Sequence, residues 1–411
     1  MRHSSVHNVN MRTIATPFDI LAYITDVLGA EWDKETLRAL SQTCKFMALL
    51  CRRYIFSSIS LSSAGEETDL IRLLHRSPDI TRRIRKLKYF VEHKSTSEHI
   101  LAILEVMRRS QPPFLQSITL TSFGWADWVE VNEPTKSLLI SLIQLPTVTH
   151  LDLGLVHNFP FPALSLCSGL TDISVSQVSE ATPHAYRTLP RAKIPAPASL
   201  HVAGFHSAIL VLMQWHPLGR RSINGPAIDF SHLEKASFEI SNVNEAFQMS
   251  LLLKTVTQLR TLSIEYEEPV ELCGLGASLL ENAYRTLNTI RLKLTVSADE
   301  HYDNPLCGLV SELRQLSGDN VLEELKVVVL VEADDTCDTS SRDWSDLDNV
   351  LTHQDAFPML RRVAIDLKWY SHDRDEDEVE YLLNKLTRDK FPRLVASSTV
   401  RFKFHERHDY V

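Results

Sequence analysis

Between residues 17 and 61 the apolar positions repeat first with a helical period and then with a strand period. In TPFDILAYITDVLG, Ile20, Leu21, Ile24, Val27 and Leu28 stand at i, i+1, i+4, i+7 and i+8, one apolar stripe on a helix. Thr16 suits its N-cap, Pro17 its first position, where the missing N–H goes unused, and Asp19 nearly completes a capping box. Gly29 closes the helix. The spacing predicts a second helix from about Asp33, carrying Leu37, Leu40 and Cys44, and a third from about Phe46 to Tyr54, presenting Met47, Leu50, Cys51 and Tyr54. SSISL then alternates as a strand.

After Leu61 a different element recurs: apolar-x-x-apolar-x-apolar. It is read as IRKLKY from Ile84, LQSITL from Leu115, VTHLDL from Val148, LTDISV from Leu170 and, weaker, LEKASF from Leu233. LRTLSI, LNTIRL, LEELKV and LRRVAI follow from Leu259, Leu287, Leu322 and Leu360. The gap from Leu170 to Leu233 is wide enough for a degenerate repeat near Leu200. Helical segments separate these strands, starting near Glu66, Ser97, Thr135, Asn244, Ala277, Pro305 and Glu376. Strand and helix alternating at separations of roughly 22 to 38 residues predict a solenoid. The strand element resembles that of leucine-rich repeats, without the Asn or Cys that usually follows it. The resemblance implies an α/β fold with parallel strands on a concave face and helices on the convex one. The bland alternative is a compact α/β domain with ordinary crossovers.

The expected division is a flexible tail over 1–12, a three-helix module over 13–61 and the repeat array over 62–411. Prolines and glycines predict loops near 180–199 and 215–226, and an acidic polar run predicts another over 333–343.

The module resembles an F-box, the docking element of SCF-type ubiquitin ligases. The matching residues are Pro17, the stripe Ile20/Leu21/Ile24/Leu28, Leu37, Leu40, Thr43-Cys44-Lys45 and Phe56. Thr16 stands where the family has Leu, and Phe46 or Met47 where it has Trp. The resemblance implies a surface for a Skp-type adaptor made by Pro17, Ile20, Leu21, Ile24, Leu37, Leu40 and Cys44. Three short helices cannot bury all their apolar faces among themselves, so a leftover stripe meets either a partner or the rest of the chain.

Composition narrows the function. A net charge of −9 with well-mixed charges carries no basic footprint for nucleic acid. No apolar run reaches the ~18 to 20 residues of a spanning helix, and the polar N-terminal residues predict no secretory leader. Six scattered cysteines without a CxxC pair predict free thiols in a reducing compartment, cytosol or nucleus.

Catalytic patterns are near misses. His405-Glu406-Arg407-His408 is one residue short of a zinc-protease HExxH. Asp373-Arg374-Asp375-Glu376-Asp377 begins like a calcium loop but has Glu378 where Gly is needed. Cys273-Gly274-Leu275-Gly276 lacks the third Gly of a dinucleotide fingerprint. The expectation is therefore a binding protein and not an enzyme, with no cofactor and no metal. Target-contact candidates are the polar residues between the apolar strand positions: His150, Asp152, Glu265, Arg291, Lys293, Lys326, Arg362 and Asp366. The sequence predicts a substrate-recognition adaptor of an SCF-type ligase, bridging a Skp-type adaptor and an unknown protein target. The alternative is a scaffold whose N-terminal helices only cap the solenoid.

Overall fold

The structure is a computed structural model that describes residues 18–31, 33–62, 67–92, 97–109, 114–178, 194–204, 212–213, 226–268, 270–296, 306–332, 341–370, 381 and 385–408. The expected tail, Thr16, Pro17, the run Asp373–Asp377, most of the helix expected from Glu376 and most of the three expected loops lie outside these residues.

Three helices come first: α1 (Phe18–Ala30), α2 (Lys34–Ser41) and α3 (Lys45–Ile55). Their starts are chemically marked. Asp33 caps α2 by accepting the Thr36 N–H at 3.0 Å, and the Cys44 sulfur caps α3 by accepting the Met47 N–H at 3.5 Å. Phe56 ends α3, and the chain passes directly into β1 (Ser58–Leu61).

The array then alternates strands with helices. The strands are β2 (Lys86–Phe90), β3 (Ser117–Thr121), β4 (Ala126–Asp127), β5 (His150–Gly154), β6 (Val156–His157), β7 (Asp172–Ser176), β8 (Ser199–Ala203), β9 (Lys235–Ile240), β10 (Thr261–Tyr266), β11 (Thr289–Val296), β12 (Glu324–Glu332), β13 (Arg362–Tyr370) and β14 (Arg401–His408). The helices are α4 (Glu67–Arg76), α5 (Glu98–Arg109), α6 (Glu133–Ile143), α7 (Val243–Leu253), α8 (Leu275–Asn282), α9 (Leu309–Leu316), α10 (Arg342–Thr352) and α11 (Pro392–Ala396). Twelve strands form one sheet in chain order, with β4 and β6 pairing apart from it. Every pairing is parallel, from β1–β2 to β13–β14. This is an irregular solenoid of the leucine-rich-repeat type.

A backbone device recurs at the strand entrances of the main sheet from β2 to β13. The carbonyl just before one strand accepts two successive N–H groups of the next repeat. Ser57 O takes Arg85 and Lys86, Thr149 O takes Thr171 and Asp172, and Glu323 O takes Arg361 and Arg362. The donor pair is thus satisfied however long the intervening segment is. Repeats from 22 residues (His150 to Asp172) to 38 (Glu324 to Arg362) therefore join the same sheet.

The strand β8 fills the gap from Leu170 to Leu233. Two elements depart from expectation. The acidic stretch expected as a loop to residue 343 gives way to α10 at Arg342, because Trp344, Leu347, Val350 and Leu351 supply a buried helical face beneath the charges. β14 adds a repeat in which Phe402 and Phe404 pack against the core.

One continuous core runs under the sheet. On β10, Leu262, Ile264 and Tyr266 are buried while Thr261, Ser263 and Glu265 alternate outward. Buried polar groups brace neighbouring repeats. Asn320 donates to Leu316 O and Ala356 O, both at 2.8 Å. Asp348 accepts the Arg393 and Leu394 N–H groups at the start of α11, at 3.1 and 2.8 Å. The module has a separate core of Leu37, Met47 and Cys51.

Candidate docking surfaces on the module and the array

On α1 the sequence stripe divides in two. At about 100° per residue, Leu21, Thr25 and Leu28 share one side of the helix, and Ile20, Tyr23, Ile24 and Val27 share another. The first side faces the module core, where Leu21 and Leu28 pack with Leu37, Met47 and Cys51. Thr25 is fully buried there, its hydroxyl donating to Ala22 O at 2.8 Å. The second side is open: Ile20 is 49% exposed, Tyr23 70%, Ile24 40% and Val27 37%.

The open face is held rigidly. Gly29 lets α1 approach α3 so closely that a Cβ built on it would clash with the Tyr54 ring. Asp26 accepts the Tyr54 hydroxyl at 2.7 Å and pairs with Arg53. Phe18 lies against Phe46, ring centroids 4.7 Å apart.

Of the residues expected to contact an adaptor, Ile20 and Ile24 are thus on the open face, and Pro17 is outside the described residues. Leu21 and Leu40 are half-buried against the module core. Leu37 needs correction: at 1% exposure it is the centre of that core, so it sets the helix spacing and lines no surface. Cys44 is exposed but employed as the α3 cap, and the Met47 N–H holds its thiol below the usual range. The buried thiols behave oppositely. Burial pushes Cys167 up to about 12 and Cys307 up to about 11.

On the array, the expected target-contact residues all lie on strands and on the polar face of the sheet, but they form two groups. His150 and Asp152 are on β5. Glu265, Arg291, Lys293, Lys326, Arg362 and Asp366 are on β10 to β13. Four strand steps separate the groups, about 19 Å at about 4.8 Å per strand. Most of them pair across neighbouring strands. His150 Nε2 is 3.3 Å from Asp172 Oδ2, Lys326 Nζ 3.0 Å from Asp366 Oδ2, and Arg362 Nη1 3.7 Å from Glu324 Oε2. Lys293 pairs with Glu265. Such exposed pairs are each worth about 0–1 kcal/mol and are easily exchanged for a partner's charges.

Two surfaces were not anticipated from the sequence. Beyond β3, Phe123 is 79% exposed and stacks on Phe90 at 4.4 Å, and Trp125 stacks on His157 at 4.5 Å. The signal was two aromatics around a glycine in a loop, Phe123-Gly124-Trp125. The second is the row Arg401, Lys403, His405 and Arg407 on β14, visible as charge at every second position of RFKFHERH.

The catalytic near misses take structural explanations. Position 405 lies on the strand β14, not on the helix that sets the two histidines of an HExxH motif on one face. Gly274, at φ 83°, opens α8, and the Glu312 carboxylate from α9 accepts the Gly274 and Gly276 N–H groups at 3.1 and 2.5 Å. A Cβ on Gly276 would come within 2.5 Å of Glu312 O, so this glycine serves the repeat-to-repeat contact. Among the described residues no group of three or more His, Cys, Asp or Glu is placed to hold a metal ion. No described helix is long and apolar enough to cross a membrane.

The fold and these surfaces define a solenoid with an N-terminal helical module. No family model matches the chain, and no curated protein matches its sequence. Two solved structures are distantly similar. One is a protein from Bacteroides fragilis, with 12% identity and a TM-score of 0.32, covering 84% of this chain and 72% of that one. The other is from the structure of the Rad7 and Elc1 complex in yeast, with 14% identity and a TM-score of 0.32, covering 85% of this chain and 93% of that one. Likeness at this level does not bear on function.

Proposed function

We propose that this chain is a recruiting subunit of an SCF-type cullin-RING ubiquitin ligase, with no chemistry of its own. The helical module docks a Skp-type adaptor, and the array holds a protein target. One observation carries the reading: Ile20, Tyr23, Ile24 and Val27 form an apolar strip on α1 directed away from the module's own core. An apolar strip left open on a rigid helix is a surface for a partner helix or groove.

The test is co-purification of the full chain with a Skp-type adaptor, with and without Ile20→Asp and Ile24→Asp. The unsubstituted chain retains the adaptor and the double variant loses it, while both keep the same circular dichroism. No retention by the unsubstituted chain sinks the proposal.

A scaffold reading, in which the helices only cap the array, is favoured by Phe56, which packs against the array core at the end of α3. It expects the α1 substitutions to leave every interaction of the chain unchanged.

A further inference from the structure

The whole chain is acidic, with a net charge of −9, yet its last four strands carry cations side by side. The register sets Arg291 of β11 beside Lys326 of β12, and Lys326 beside Ala364 of β13, which in turn adjoins Lys403 of β14. One row along, Arg362 adjoins Arg401, and further along Lys368 adjoins Arg407. Neighbouring strands are about 4.8 Å apart, and like charges on adjacent strands oppose folding. The acids available on this face answer only some of them. Asp366 pairs with Lys326 and Glu324 with Arg362. Arg291, Arg401, Lys403 and Arg407 are exposed and have no ion-pair partner among the described residues.

Ala364 sharpens the arrangement. Its short side chain stands between Lys326 and Lys403 in the register, with Arg362 and Asp366 before and after it on the same face. An anionic group entering there meets cations from three strands. Protection of an exposed sheet edge explains charge on β14. It does not explain Arg291 or Lys326, which lie on interior strands.

We propose that the polar face of β11 to β14 seats an acidic segment of a protein partner, its anionic side chains entering beside Ala364 and along Arg291, Arg401 and Lys403. The proposal deepens the reading of the array as the target-holding part and is independent of adaptor docking. A peptide, not a nucleic acid, is the occupant because the positive region is confined to four strands of an acidic molecule. A polyanion running past it meets repulsion from the rest of the chain.

The test is fluorescence anisotropy of labelled ten-residue peptides with the full chain. One alternates Glu and Ser, one phosphoserine and Ser, and one Gln and Ser. The Glu or phosphoserine peptide binds, with affinity falling as salt rises, and the Gln peptide does not. The stronger of the two anionic peptides tells carboxylate from phosphate. Arg291→Ser/Arg401→Ser/Lys403→Ser weakens binding at least about tenfold, as expected when complementary charges are lost. Lys86→Ser/Lys88→Ser at the other end of the sheet leaves it unchanged. Ile20→Asp/Ile24→Asp also leaves it unchanged, so failure of adaptor docking is read separately.

Binding of the Gln peptide as tight as that of both anionic peptides, or binding of none of the three, overturns the proposal. So does a triple variant that binds normally or loses only solubility, which is the edge-protection outcome. Stronger competition by a single-stranded oligonucleotide than by the acidic peptides overturns it in favour of nucleic acid. Binding that appears only when Asp373–Glu380 is replaced by Gly and Ser makes that acidic run of the chain the occupant, and overturns an outside partner.

Discussion

The helical module and the array are both made of short amphipathic elements, yet they leave opposite kinds of surface unsatisfied. In the array each strand's apolar positions are covered by its own helix or turn and by the next repeat. What stays open is a polar face of rows such as Thr261, Ser263 and Glu265. In the module three helices share a core as small as Leu37, Met47 and Cys51, and α1 keeps an apolar strip in the open. Stacking lets an array bury the apolar side of its sheet, leaving single exposed side chains such as Phe123, whereas a three-helix unit of this size leaves a whole helix face open. Under the proposed function, the part of the molecule with the smaller core therefore offers a partner an apolar surface, and the part with the larger core offers it charge.

The largest effect that tests this contrast is a cavity. Leu262 is fully buried on a central strand with repeats on both sides. Leu262→Ala is expected to destabilise the chain by about 2–5 kcal/mol, measured by urea unfolding. Leu37→Ala in the module is expected at the low end of that range, because a small three-helix core can collapse around the loss. Equal costs at the two positions break the comparison.

A smaller effect separates the two regions directly. Gly29→Ala drives a methyl against the Tyr54 ring, and displacing that ring costs its hydrogen bond to Asp26 as well as its packing. Overpacking of this kind is worth about 1–3 kcal/mol. The expected result is faster hydrogen exchange in α1 and α3, with protection of β9 to β13 unchanged. Loss of protection across the whole sheet means that module and array fold as one unit.

How far the sequence disclosed this arrangement depends on the range of the interactions involved. The strand element at Leu259 or Leu322 is legible because its three apolar positions are local and alternate. The helix Arg342–Thr352 was hidden because Asp343, Asp346 and Asp348 mask the Trp344/Leu347/Leu351 face; Asp348 is itself buried, used by the start of α11. Cross-strand partners such as Lys326 and Asp366 are a whole repeat apart, so their pairing required the register. The two sides of α1 were not separable for a different reason. A helix that is apolar around most of its circumference carries no sequence mark for which side its neighbours cover.

That last ambiguity yields the smallest and most diagnostic effect. Ile24 and Leu28 are both aliphatic, one turn apart, and equally part of the stripe read from the sequence. In the structure Ile24 faces out and Leu28 faces Leu37 and Met47. Ile24→Ser is expected to change stability by no more than about 0.5 kcal/mol, as for surface positions. Leu28→Ser removes half-buried apolar contacts and is expected to cost about 1–3 kcal/mol. Thermal melting of the two single variants decides which side of α1 is covered. If Ile24→Ser proves as costly as Leu28→Ser, the open strip is covered by the chain itself and no apolar surface remains on α1 for an adaptor. If it is silent in melting yet weakens adaptor retention, the strip is held open for a partner and not for the fold.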